Sequence, residues 1–264
     1  RLSEDDSKSV LLLEAGPDYP DFEHLPIDLK DGYNIWRSAY GDHSWAYRAN
    51  ATPLQPEPIE IPRGKAMGGS SAINGQVLFR GLPEDYDNWA TWGNDEWSFT
   101  KVLPYFRKLE TDRDFPGGDF HGSDGPIPVR RFKQQEWLPY SSAFHTACVE
   151  MGYPAEPDQN NPEYYNGISP RPLNNIDGVR MSTALTYLNM ARHRLNITIR
   201  GSVVVRHIVF EGNRAVGVEA ECGGEIFTVE GEQIILSSGA IASPQILMLS
   251  GVGPRDHLND MGIG

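Results

Sequence analysis

The chain has 264 residues, 39% hydrophobic and 22% charged, proportions that suit a globular protein with an ample core. A formal net charge of −13 excludes nucleic acid and anionic membrane, which call for a basic face. No run approaches the ~18 apolar residues of a spanning helix, so no membrane partner is expected.

Val10–Glu14, VLLLE, is a short apolar run ending in an acid and followed by Ala15-Gly16-Pro17. It reads as a buried parallel strand with Glu14 at its carboxyl end. In dinucleotide folds an acid here binds the adenosine ribose, and the G-x-G-x-x-G turn lies roughly 20 residues earlier. Counting back from Glu14 passes Arg1, so the first strand and the phosphate turn are expected to be missing. The alternative is an edge strand that happens to end in Glu. Asp18–Pro62 is aromatic and proline-rich with little periodicity; Trp36, Trp45 and Tyr47 either shield a cofactor or pack under a long loop, and packing is expected for Trp36.

Arg63–Asp87, RGKAMGGSSAINGQVLFRGLPEDYD, is the most informative stretch. Gly68 and Gly69 remove side chains where a backbone must come close to a ligand. Ser70 is an N-cap candidate for a short helix through SSAINGQVLF, with Asn74 one turn on along the same face. Such a helix start would seat an anion or a polarised ring oxygen. A plain Gly-Ser turn is the simplest alternative. A P-loop is excluded because Lys65 precedes the glycines, and a nucleophile elbow because Ala72 replaces its last glycine.

Pro83 and Gly93 bracket the helix PEDYDNWATWG. Ser98 caps a second, FTKVLPYFRKLE, so that Ser98–Lys101 is a cap rather than a catalytic S-x-x-K. His121 lies in a Gly/Pro-rich loop beside Asp124; a lone loop histidine reads as structural or solvated, not as a metal ligand. SSAFHTACVEMG forms a helix carrying His145, and Met181–His193 another, capped by Ser182. The period then changes to strands: NITI, SVVVRHIVF, RAVGVEAE, EIFTV and EQIIL, a three-stranded meander with a return strand into the main sheet. Ser243-Pro244 is expected to start the last long helix. Cys148 and Cys222 make no metal or disulfide pattern and read as core thiols. Asn50 and Asn196 match glycosylation sequons by chance. With no leader visible, the expected compartment is the cytoplasm.

The string GGSSAIN at Gly68–Asn74 resembles the first signature of the glucose-methanol-choline (GMC) flavoenzyme family, and SSGAIASPQILMLSGVG at Ser237–Gly253 resembles the second. VLLLEAGPD, WSFTKVLPYFRKLE, FHGSDGPIPV and RAVGVE are also similar to family sequence and follow in the family's order. Leu78 departs from the family's usual aromatic residue or alanine. The resemblance implies an α/β fold: a Rossmann-like FAD-binding domain, incomplete because the first β-strand and GxGxxG turn are absent, with a β-meander and part of an α+β substrate domain. The implied division is residues 1–131 and 174–264 for the FAD domain and 132–173 for the substrate layer.

The resemblance further implies that Glu14 and Ala15 serve the adenosine ribose. Arg63, Met67, Gly68, Gly69, Ser70 and Ser71 would line the diphosphate and flavin. Asn74, Gly75, Gln76 and Val77 would face the isoalloxazine, Val205 the adenine, and Ser238, Gly239 and Ala240 would close the cleft. Ile73 occupies the position of a flavin-linking histidine in some members, so FAD is expected to be non-covalent. The implied activity is oxidation of a small-molecule alcohol by hydride transfer to flavin. The family's catalytic histidine comes later than Gly264, so no catalytic residue is assigned to His121, His145 or His257, and no metal ligand to any residue. A hydroxynitrile lyase-like FAD protein and a non-catalytic scaffold without flavin are the rival readings. An unpaired strand edge also invites homo-oligomerisation.

Overall fold

In the computed structural model, which describes residues 1–164 and 166–263, the strand Val10–Leu13 lies parallel to Ile197–Arg200, with Val10 opposite Ile197 and Leu13 opposite Arg200. Tyr165 and Gly264 lie outside the described residues. The parallel pairing is as the sequence suggests, but the strand is not buried: Leu11 is 42% exposed. Among the described residues it has one ladder partner, so its other edge is open.

The chain forms two compact units. The first gathers Arg1–Tyr19, Lys65–Met67 and Arg194–Gly264. Besides the parallel pair it contains the expected meander, Val204–Glu211, Arg214–Cys222 and Glu225–Glu230, antiparallel in chain order. The β-branched runs and intervening Gly-containing turns favour this arrangement. The helix Gly239–Leu249 packs on the first meander strand, where the Ile208 amide donates to Ser250 Oγ at 2.8 Å.

The second unit gathers Pro20–Gly64 and Gly68–His193. Helix Pro83–Thr91 begins at its proline, and helix Phe99–Leu109 follows directly after Ser98. Tyr86, Phe99 and Val102 form a buried cluster between them, flanked by Leu103, Phe106 and Phe120. Helix Pro139–Glu150 is also where the sequence puts it. The short strands Glu110–Asp112 and Ile127–Val129 pair in parallel, and Asn175–Ile176 with Val179–Arg180 form a tight hairpin.

Several local expectations are corrected. Ser70 does not cap a helix through Asn74. Gly69–Ala72 is a single 3₁₀ turn preceded by Gly68 at φ +96°, and it ends because the Asn74 side chain accepts from the Gln76 amide at 3.0 Å. Asn74 therefore does not share a helical face with Ser70.

EQIIL is not a strand, since residues 233–236 find no ladder partner among the described residues. The last long helix starts at Gly239, a turn before Ser243, and keeps Pro244 inside. So near the start, the proline removes only the bond to the Ala240 carbonyl.

Met181–His193 is not a uniform α-helix, because a π-helical turn, Ala184–Leu188, precedes Asn189–Ala191. Ser182 Oγ does accept from the Leu185 amide at 3.4 Å. Trp36 is 71% exposed and merely stacks on Tyr40, so it does not pack inside. Nor are the cysteines core thiols: Cys148 is half-buried, and Cys222, beside the Gly223-Gly224 turn, is exposed.

Candidate functional site

In the first unit, the turn after Val10–Leu13 carries Glu14 and Ala15. The Glu14 carboxylate accepts from the Gly16 amide at 2.9 Å. Burial raises its pKa above the ordinary value, against the smaller pull of the Gly16 and Ala15 amides. Among the described residues it makes no ion pair. This turn presses on residues 65–67, with the Met67 amide donating to the Pro17 carbonyl at 2.9 Å. Gly16 is obligatory there, because a Cβ would lie 2.0 Å from the Lys65 carbonyl oxygen. The Val203 amide donates to the Glu14 carbonyl at 2.9 Å, bringing in the segment that leads to Val205. Val205 is half-buried opposite Ala220, while Ser238, Gly239 and Ala240 are exposed at the start of their helix. Gly239 has φ +85° and open space around it.

In the second unit, Arg63 donates to the Pro62 carbonyl and its own carbonyl accepts from Trp45. The turn Gly68–Ile73 is stitched to the segment after the hairpin. Ser71 Oγ donates to the Gly68 carbonyl at 2.6 Å and accepts from the Thr183 amide at 3.0 Å. Gly69, at φ +55°, has nothing within 4 Å of an added Cβ. Ser70, Asn74 and Val77 are exposed and Gly75 is half-buried. Gln76 is instead turned inward, donating to the Gly32 carbonyl at 2.7 Å and accepting from Asn175 at 2.6 Å.

One functional-looking residue escaped the sequence reading. Arg180 is fully buried and reaches oxygens of Ala72, Asn74, Asp28, Leu29, Asp31 and Ser38. The signal that could have found it is Asp177-Gly178, a two-residue hairpin turn with both residues at positive φ.

His121, read from the sequence as structural or solvated, is buried. Its Nε2 faces Asp158 at 2.8 Å and its Nδ1 faces Glu110 at 2.9 Å and Asp112 at 3.1 Å. Arg131 pairs with Asp112 at 2.9 Å and Asp158 at 2.5 Å, and Arg80 with Glu110 at 2.6 Å. Burial alone would lower the His121 pKa, but Asp112, Asp158 and Glu110 overcome it and hold the pKa at about 10. Burial would likewise raise Asp112, yet His121 and Arg131 hold it well below the usual carboxylate range. Glu110, Asp112 and His121 are close enough to hold a metal by spacing alone. Here three carboxylates face two guanidiniums and an imidazole whose two ring nitrogens both meet carboxylates, while the buried Glu110 Oε2 has no hydrogen-bond partner among the described residues. This is the charge pattern of a buried ionic lock.

The sequence profile of the GMC oxidoreductase family matches residues 34–264. The chain belongs to that family. A GMC-type oxidoreductase of Rhodococcus erythropolis, itself uncharacterised, is 41% identical over 263 residues, covering all of this chain and 52% of its own length. The oxygen-dependent choline dehydrogenase 1 of Chromohalobacter salexigens is 42% identical over 270 residues, covering all of this chain and 47% of its own. Among solved structures, a pyridoxine 4-oxidase from Mesorbium loti aligns with the whole chain at TM-score 0.91 and 32% identity, over 51% of that chain. A formate oxidase aligns at 0.84 and 26%, over 46%. The chain thus spans about half the length of the curated relatives it matches, and the α/β FAD-binding fold of GMC oxidoreductases is its fold. Among the described residues, no helix is long and apolar enough to cross a membrane.

Proposed function

We propose that this GMC oxidoreductase chain holds FAD non-covalently for a protein that oxidises a small-molecule alcohol. The carrying observation is bare main chain at both family signatures. An added Cβ at Gly69 or at Gly239 meets nothing within 4 Å, although each has the positive φ that favours glycine. Glu14, half-buried and making no ion pair among the described residues, adds an acceptor suited to ribose hydroxyls. These features fit a dinucleotide cofactor.

In this reading Glu14 and Ala15 receive the ribose, Arg63 and Met67–Ser71 line the diphosphate and flavin, and Asn74, Gly75 and Val77 lie along the ring. Gln76 contributes main chain only, because its amide is engaged by Gly32 and Asn175. Val205 serves the adenine, and Ser238, Gly239 and Ala240 close the cleft. Ile73 offers no atom for a covalent link. The chemistry FAD supplies when bound is acceptance of a hydride from a CH–OH carbon. His121 is not assigned as the base for that reaction, because both its ring nitrogens are engaged by Glu110, Asp112 and Asp158. The relatives named as choline dehydrogenases make choline the first alcohol to try.

The test is a visible absorption spectrum of the purified full-length protein, followed by anaerobic addition of choline and a panel of primary alcohols; this chain alone is expected to be inactive. Flavin bands that bleach with an alcohol support the reading. Flavin that stays oxidised while a hydroxynitrile is split would establish the lyase chemistry instead. Protein that neither carries nor takes up FAD would be a scaffold, and the cofactor reading would fall.

A further inference from the structure

Arg180 is 0% exposed, and none of its six oxygen partners is a carboxylate. Nε donates to the Asn74 carbonyl at 3.0 Å. One terminal nitrogen serves the carbonyls of Ala72, Asp28 and Leu29, each at 3.1 Å, and the other serves the Asp31 carbonyl at 3.0 Å and Ser38 Oγ at 2.7 Å. A charge buried with no carboxylate directly hydrogen-bonded to it, though Asp31 and Asp28 stand near enough to offset part of the desolvation, is costly to maintain, and what it accomplishes here is local. It fixes the two carbonyls on either side of Ile73, where the first GMC signature ends.

Three residues further on, the same segment grips the other end of that signature. The Thr183 amide donates to Ser71 Oγ at 3.0 Å, and Thr183 Oγ1 reaches Ser71 Oγ at 3.0 Å and the Gly68 carbonyl at 3.3 Å. The signature keeps bonds of its own, Ser71 Oγ to the Gly68 carbonyl at 2.6 Å and the Ile73 amide to the Ser70 carbonyl at 3.2 Å. With Gly68 and Gly69 both at positive φ, residues 180–183 add a grip at each of its ends.

We propose that Arg180, assisted by Thr183, is a positioning residue that pre-shapes the main chain of Gly68–Asn74 for FAD. This rests on the FAD reading above. A turn already held open binds without first having to be ordered, which is where preorganisation gains affinity. Only a planar fork of five N–H groups satisfies this spread of acceptors, so lysine is no substitute.

The experiment is titration of FAD into flavin-free protein, by quenching of flavin fluorescence, for the wild type, Thr183→Val and Arg180→Lys. Thermal melting of each flavin-free protein is recorded alongside. Thr183 is exposed, so its variant keeps the fold. Both variants are expected to bind FAD about tenfold more weakly or worse, as loss of a supporting shell does at other sites, with Thr183→Val melting as the wild type does. Folded variants that bind FAD within about twofold of the wild type would assign the segment to fold stability alone and overturn the proposal. If Arg180→Lys does not fold, Thr183→Val decides on the same criterion. A wild type that takes up no FAD overturns the underlying cofactor reading instead, and the two failures are thereby told apart.

Discussion

The imidazole of His121 meets the carboxylate of Asp158 at 2.8 Å with neither residue more than 4% exposed. They lie 37 positions apart in the chain, and their contact ties the loop around His121 to the segment that follows helix Pro139–Glu150. Folding raises the His121 pKa from 6.5 to about 10, so its contribution to stability is fully present below about pH 6.5 and is lost as pH rises through 10. Asp112 and Asp158, both held below their ordinary value, act in the opposite sense and lose their contribution as pH falls below about 4. Urea midpoints should therefore fall between about pH 7 and pH 10, and His121→Gln should flatten that slope. Equal slopes in the two proteins would mean that His121 is neutral in the native state. Asp158→Asn, which takes one carboxylate away from both Arg131 and His121, should cost about 3 kcal/mol at neutral pH.

In the proposed reading, Glu14 sets stability against binding. Its pKa is raised by burial, so its charge opposes folding above the carboxylate range. Glu14→Gln should make the flavin-free protein slightly more stable at neutral pH while weakening FAD at least several-fold. Melting temperature and FAD titration on the same sample check both halves. A stabilised variant with unchanged FAD affinity would remove Glu14 from the ribose site.

In the same reading, Gly16 and Gly69 separate packing from cofactor access. At Gly16 an added Cβ would lie 2.0 Å from a main-chain oxygen, whereas at Gly69 it meets open space. Gly16→Ala should cost roughly 3 kcal/mol in urea unfolding. Gly69→Ala should cost only about 1 kcal/mol, the strain of a left-handed conformation, yet reduce FAD uptake more than its stability loss accounts for. Equal stability losses, with FAD affinity unchanged at Gly69, would speak against a ligand approaching that backbone.

What the sequence disclosed was whatever punctuation and period could carry. Pro83, Gly93 and Ser98 mark the ends of two helices, and the β-branched runs around Gly212 and Gly223-Gly224 mark the meander. The pairing-dependent features were hidden. Residues 233–236 have strand composition, but a strand needs a neighbour, and composition does not say whether one is there. The acids nearest His121 in sequence are Asp119 and Asp124, while the acids that bind it come from positions 110, 112 and 158. Ser70 looked like a cap because its type favours caps, but Gly68 and Gly69 had already turned the chain. Arg180 was overlooked because a charged residue in a hairpin ordinarily points to solvent.

The parallel pair also sets a timetable for biosynthesis. Val10–Leu13 leaves the ribosome about 190 residues before its partner Ile197–Arg200, which at ~5–20 residues per second is a delay of roughly 10–40 s. The Asn175–Arg180 hairpin, by contrast, can close within ~10 μs of emerging. The unit containing Arg180 and the His121 lock ends at His193, just short of that partner strand. A translation arrest placed so that His193 has cleared the exit tunnel but Ile197 has not should leave that unit protease-resistant and the amino-terminal strand still cleavable.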